Sequence, residues 1–170
     1  MILAFDTFYK EHTATTVAIA FDHWQAETPL NVYEETLNGV DEYIPGQFYK
    51  RELPCILSLL QQIDYANCEA IIVDGYVQLD DTGSKGLGAH LYDALNGKIP
   101  VIGVAKNKFS GIQTLQEAVF RGSSNKALHI TSMGIDLARA ANHIREMHGN
   151  FRFPTLLKLV DALGRKTTTL

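Results

Sequence analysis

Three short apolar runs each carry one charged residue, and this limits what the chain can fold into. Asp6 interrupts the run Ile2 to Phe8, Asp74 ends the run Ala70 to Val73, and Lys106 follows Ile99 to Ala105. Apolar runs of four to eight residues read as buried strands, and ionised groups are almost never buried without partners. The three runs therefore read as buried strands of a sheet, and the charge each carries in or at the end of its run needs a reason to be there. Around them, Ala14 to Phe21 is β-branched and reads as a strand, and Asn31 to Leu37 alternates like a strand with one exposed face. Sequential strands joined by short turns are most easily antiparallel. Helical patterning spans Gln47 to Ile63 with Pro54 as a kink or restart, then Leu87 to Leu95, Ile135 to Met147 and Thr155 to Leu163, with Pro154 suited to a first helical position. Phe109 to Arg121 reads as a short helix and Leu128 to Thr131 as a short strand. Strands first, then alternating helix and strand, predict an α/β domain: a mixed sheet with antiparallel first strands, flanked by helices.

The 170 residues suit a single domain, 1–170, with a real core. No apolar run reaches the length of a membrane span. The start, MILAFDTFYK, lacks the basic region of a signal peptide, so a cytoplasmic protein is expected. Cys55 and Cys68 fit no metal or redox spacing and read as reduced thiols. His143 and His148 do not share a helix face and read as surface residues. His90 reads as a local packing group, and Trp24 and Tyr33 as core or edge residues. Gly83, Gly86 and Gly88 form no phosphate loop, and Ser132 has no nucleophile-elbow context. The net charge of −4, from 19 acids against 15 Lys and Arg, argues against tight, salt-driven, non-specific nucleic-acid binding.

Two further acids need a reason. Asp161 lies within LLKLVDAL, flanked by core-type residues, and Glu52 opens the helix after the turn Tyr43-Ile44-Pro45-Gly46. Clustered carboxylates repel one another unless protonated or bound to a cation. Mg²⁺ suits them because it takes oxygen ligands and keeps waters for a phosphate substrate. Such a site meets the needs of metal-assisted phosphodiester hydrolysis. Each acid also has a plainer reading: Asp74-Gly75 as a turn, Asp161 as a surface residue paired with Lys158, Glu52 as a solvated side chain.

Taken in order, Tyr43-Ile44-Pro45-Gly46, Lys50-Arg51-Glu52, Val73-Asp74-Gly75, Pro100 to Lys106 and Arg152-Phe153-Pro154 resemble the endonuclease V family, inosine-directed nucleases with a ribonuclease H-like fold. The likeness runs from Asp6 to Arg165. Gly46 to Glu52 keeps the family's spacing between its Tyr-x-Pro-Gly turn and its Glu, and the family's last metal-site position falls on Asp161. The resemblance implies Asp6 and Asp74 as main Mg²⁺ ligands, with Mn²⁺ as a substitute, and Glu52 and Asp161 completing the site. Lys106 would contact the phosphate, and Tyr43, Ile44, Pro45 and Gly46 would bind substrate as a wedge filling the gap left by a flipped nucleotide. It implies a monomeric DNA-repair-type hydrolase, cutting DNA or RNA that contains deoxyinosine or inosine at the second phosphodiester bond 3′ to that base. The products would carry 3′-hydroxyl and 5′-phosphate ends.

The chain departs from the family where it contacts substrate. The family's His becomes Asp80, its His-Pro-Arg Arg is missing with Lys85 nearby, Ser132-Met133 replaces Gly-His, and Glu42 replaces the Pro that leads the wedge. The alternatives are a diverged nuclease of other lesion or structure specificity, and a non-catalytic nucleic-acid-binding protein of the same fold. Setting the four acids aside leaves 15 acids against 15 basic residues, a formally neutral surface. A small footprint is expected, with Lys50, Arg51, Lys85, Lys106 and Lys108 gathered near the site.

Overall fold

The computed structural model describes residues 1–39 and 48–167. The expected wedge, Tyr43 to Gly46, lies outside the described residues. Seven strands form one mixed sheet in the order β3-β2-β1-β4-β5-β7-β6. β1 (Ile2–Lys10), β2 (Thr13–Phe21) and β3 (Asn31–Asn38) form an antiparallel meander. β4 (Ala70–Asp74) then pairs parallel to β1, and β5 (Val101–Ala105) parallel to β4. β7 (Leu128–Met133) returns antiparallel to β5, with β6 (Glu117–Val119) at the edge. The sheet is covered by α1 (Phe48–Leu60), α2 (Leu87–Ala94), α3 (Leu137–Glu146) and α4 (Thr155–Thr167). No helix among the described residues is long and apolar enough to cross a membrane.

The period-two alternation of strands divides the core into two layers. Leu3, Phe5, Ile71 and Val73 face one layer with Ile56, Leu59 and Leu91 of α1 and α2. Ile2, Ala4, Ile72, Ile102 and Val104 face the other, with Ile144 of α3 and Leu156 and Val160 of α4. Because β1, β4 and β5 are covered on both sides, their sequences are continuous apolar runs, as parallel strands in α/β sheets are.

The segment 109–121 is a correction. Instead of a helix it forms a loop and the short strand β6. The Asp81 carboxylate accepts hydrogen bonds from the backbone N–H groups of Gln113, Thr114 and Leu115 at 2.8–3.0 Å. A distant side chain thus takes donors that a helix would use, holding the chain in a turn while Ile112 is buried. Local pattern cannot reveal such a partner. His143 is a second correction: its ring stacks on Trp24 at 4.2 Å between centroids rather than facing solvent alone. His90 packs as expected, stacked on Tyr49 at 3.7 Å, and Cys55 and Cys68 are free thiols.

Candidate active site

The parallel register explains the site. β1 and β4 pair from Ile2↔Ala70 to Phe5↔Val73, so Asp6 and Asp74 are the next residues on neighbouring strands. Asp74 is the last residue of β4, and Gly75, at φ +119°, turns the chain away from the sheet. That positive φ favours glycine. Gly103 of β5 lets the turn lie close: a Cβ there would come within 2.5 Å of the Gly75 carbonyl oxygen. The sheet therefore opens at the carboxyl ends of its parallel strands, where open α/β sheets bind ligands.

Alternation then sorts the side chains. Asp6, Asp74 and Lys106 continue the series Ile2-Ala4, Ile72 and Ile102-Val104, which faces α3 and α4. Asp161 comes from α4 on that same face. Together Asp6, Asp74, Lys106 and Asp161 line one cleft, floored by Val104 and Val160 and flanked by Phe153. Lys106 Nζ stands 3.2 Å from Asp161 Oδ1 and 3.5 Å from Asp74 Oδ2. Arg165, one turn along α4, donates to Asp161 Oδ1 at 3.0 Å. So Asp161 is neither a lone surface residue nor a partner of Lys158. Its ion pairs run to Lys106 and Arg165.

Glu52 arrives from α1, whose core residues pack on the opposite face. It is only 2% exposed, which overturns the solvated reading. Burial drives its carboxyl well above the usual carboxylate range, and the charges of Asp6 and Asp74 add to this. Asp6, 7% exposed, is pushed up to about 6 by burial and then by Asp74 and Asp161. Asp74 is also raised by burial, against the opposing charge of Lys106. Asp161 goes the other way. Its partial burial is outweighed by hydrogen bonds from Arg165 and Lys106, which hold it below the ordinary value. Lys106 is held above the usual lysine range by Asp74 and Asp161, which outweigh its burial. Four carboxylates against Lys106 and Arg165 leave an excess of negative charge, and three of the four bind protons more readily than in water.

This donor set fits a hard divalent cation. Its donors are carboxylate oxygens with no thiol or imidazole among them, and Asp6 Oδ2 is buried with no hydrogen-bond partner. Among the described residues no group of three His, Cys, Asp or Glu side chains is placed to hold a metal ion by itself. Mg²⁺ does not demand one, since it is commonly held by one or two carboxylates plus waters and substrate oxygens.

The expected basic cluster is only partly present. Lys106 is in the cleft. Lys85 pairs instead with Asp93 of α2, and the Arg51 guanidinium lies 3.7 Å above the Tyr9 ring. Lys50 and Arg51 line a separate hollow beside Gly39 and Pro54. The cations that border the cleft are Arg152, Lys158 and Arg165. Arg165 was legible as an i,i+4 partner of Asp161 on a helix. Arg152 donates to the carbonyls of Lys106 and Ala127, tying the loop after α3 to the end of β5. Nothing local announces that bond. Asp80, at the family's His position, spends its carboxylate on Thr82 and Ser84 within its own turn.

A mixed α/β sheet of ribonuclease H-like type, with carboxylates gathered at the carboxyl ends of its parallel strands, defines the class. The chain belongs to the endonuclease V family, whose model, described as Endonuclease V, matches residues 1–148. That family implies a nuclease. An endonuclease V of Saccharolobus islandicus is 24% identical over 170 residues, covering 98% of this chain and 82% of that protein. The fold is that of the Ciona intestinalis endonuclease V crystallised with inosine-containing DNA: TM-score 0.80, 17% identity, 98% of this chain and 85% of that one. Human ENDOV superposes with TM-score 0.71 at 22% identity, over 98% of this chain and 83% of that one.

Proposed function

We propose that this chain is a divalent-metal-dependent endonuclease that hydrolyses a phosphodiester bond 3′ to inosine or deoxyinosine. The observation that carries the reading is the cleft in which Asp6, Asp74, Asp161 and Lys106 meet, with the buried Glu52 electrostatically coupled to it. Asp6 and Asp74 would hold Mg²⁺ or Mn²⁺, with Glu52 and Asp161 supporting. When bound, such an ion supplies Lewis-acid stabilisation of phosphoryl oxygens and makes water a stronger nucleophile at neutral pH.

The chain's own residues do the rest. The ammonium of Lys106 meets the charge that develops on the phosphate. Asp161 and Asp74 aim it, and Phe153 lies 5.3 Å beneath it. Arg165 keeps Asp161 ionised. Tyr43, Ile44, Pro45 and Gly46 would fill the gap left by a displaced base. The DNA bound to the Ciona intestinalis relative supports a nucleic-acid substrate.

To test this, the purified protein is incubated with labelled inosine-containing and plain strands, in Mg²⁺ and in EDTA. A single Mg²⁺-dependent cut on the 3′ side of inosine, lost in Asp6→Ala, is expected. No cleavage of either strand, or cleavage indifferent to Asp6→Ala, overturns the reading. A second reading, a nuclease of different specificity, is favoured by the commitment of Asp80 to its own turn and of Lys85 to Asp93. It predicts equal cleavage of both strands.

A further inference from the structure

Beside the carboxylate cleft, and sharing Lys106, Phe153 and Asp161 with it, lies an open groove of about 500 Å³. Its outer wall is built from Phe151 and from Lys158 and Arg165 of α4. Phe151 is 69% exposed, the most exposed of the large apolar side chains among the described residues. A single exposed aromatic needs no explanation by itself. Here it stands in a cationic groove: Lys158 Nζ is 5.4 Å from its ring centroid, and Arg152 and Lys106 continue the positive wall toward the acids.

The backbone that carries the ring is also anchored by hydrogen bonds. Buried Arg121 donates to the carbonyls of Phe151 and Gly149, both at 2.9 Å, and to that of Met147. Arg152, the next residue, is tied to the carbonyls of Lys106 and Ala127. A loop between two helices is thus pinned on both sides of a residue that itself buries little.

We infer that this groove seats an unpaired segment of the substrate strand, with one base stacked on Phe151 and the adjoining phosphate paired to Lys158. A basic groove with an aromatic face is how proteins hold single-stranded nucleic acid without reading sequence. In a duplex the base faces are already stacked, so the ring selects for unpaired nucleotides. The inference rests on the nuclease reading, because it is continuity with the cleft that makes the occupant a nucleic-acid strand. A chain whose overall charge is −4 then concentrates its phosphate-binding charge in one place.

The test is fluorescence anisotropy of the full chain in EDTA, where turnover does not interfere. The probes are a short labelled oligothymidylate and an all-abasic strand of equal length. Phe151→Ala is expected to weaken oligothymidylate binding about 5- to 100-fold, to leave abasic binding unchanged and to keep the thermal midpoint. Phe151→Trp is expected to restore binding, with indole fluorescence quenched by the stacked base. Lys158→Ala is expected to reduce the slope of log K against log salt by about 0.7. The inference is overturned if Phe151→Ala binds oligothymidylate as wild type does, if it loses equally on both strands, or if wild type binds neither. The nuclease reading is scored separately by Mg²⁺-dependent cleavage: cleavage that survives Phe151→Ala with unchanged KM removes the groove from the account and leaves the nuclease standing.

Discussion

The most telling perturbation of the site is one that should stabilise the protein while disabling it. Asp6 lies in a strand, is nearly buried, and has one oxygen without a hydrogen bond. Burial and the neighbouring acids raise its pKa from 3.8 to about 6 in the folded chain. The folded state therefore holds this proton more tightly than the unfolded state does. The associated stability is complete below about pH 3.8 and is lost as pH rises through about 6. At about 1.4 kcal/mol per tenfold change in affinity, the loss amounts to about 3 kcal/mol. Asp6→Asn carries no such charge. In metal-free buffer at pH 8 it should be more stable than wild type by about 2–3 kcal/mol, and at pH 4 the two should nearly coincide. With a urea m-value of about 2–3 kcal/mol/M, the midpoint difference at pH 8 is about 1 M. Saturating Mg²⁺ should reverse the order, since a ligand bound only by the folded wild type stabilises it. Urea unfolding of both proteins at the two pH values, with and without Mg²⁺, decides it. If Asp6→Asn is destabilised equally at pH 4 and pH 8, the electrostatic reasoning is wrong.

Other outcomes follow from the same geometry. Glu52→Gln removes a buried carboxyl whose ionisation is opposed by burial and then by Asp6 and Asp74; thermal melts in EDTA should show a midpoint gain that grows with rising pH, and nicking assays a loss of cleavage. Lys106→Met leaves Asp74 and Asp161 without their shared ammonium; kcat should fall by about 10²-fold or more, read in single-turnover cleavage. Arg121→Met strands the carbonyls of Arg145, Met147, Gly149 and Phe151; at about 1 kcal/mol for each orphaned group, urea unfolding should register a loss of roughly 4 kcal/mol. Chelation of divalent ions should abolish cleavage while far-ultraviolet circular dichroism stays unchanged.

The central half of this fold was legible because its strands are short, apolar and punctuated by charge. Asp6, Asp74 and Lys106 announce themselves by sitting where an unpaired charge is costly. Once the strands are parallel, alternation alone puts them on one face. Glu52 and Asp161 were harder. Each lies in an amphipathic helix with basic residues close by in sequence, and only the family spacing separates them from ordinary solvated acids. The segment 109–121 was misread because a side chain some thirty residues away, Asp81, captures its amide groups. Arg121 and Arg152 were invisible for the same reason: each bonds carbonyls about 20 or more residues distant in sequence. The expected gathering of Lys50, Arg51 and Lys85 failed because those cations have partners or surroundings of their own. Helix α4 and the loop before it carry the positive charge beside the cleft instead.

We propose that Asp6 and Asp74, brought together by parallel pairing of β1 and β4, hold a catalytic divalent cation. Crystals soaked in Mn²⁺ test it by anomalous scattering. The expected result is a peak in contact with the carboxylates of Asp6 and Asp74 that disappears in Asp6→Asn. A peak held by other residues, or none in the cleft at saturating Mn²⁺, would contradict it.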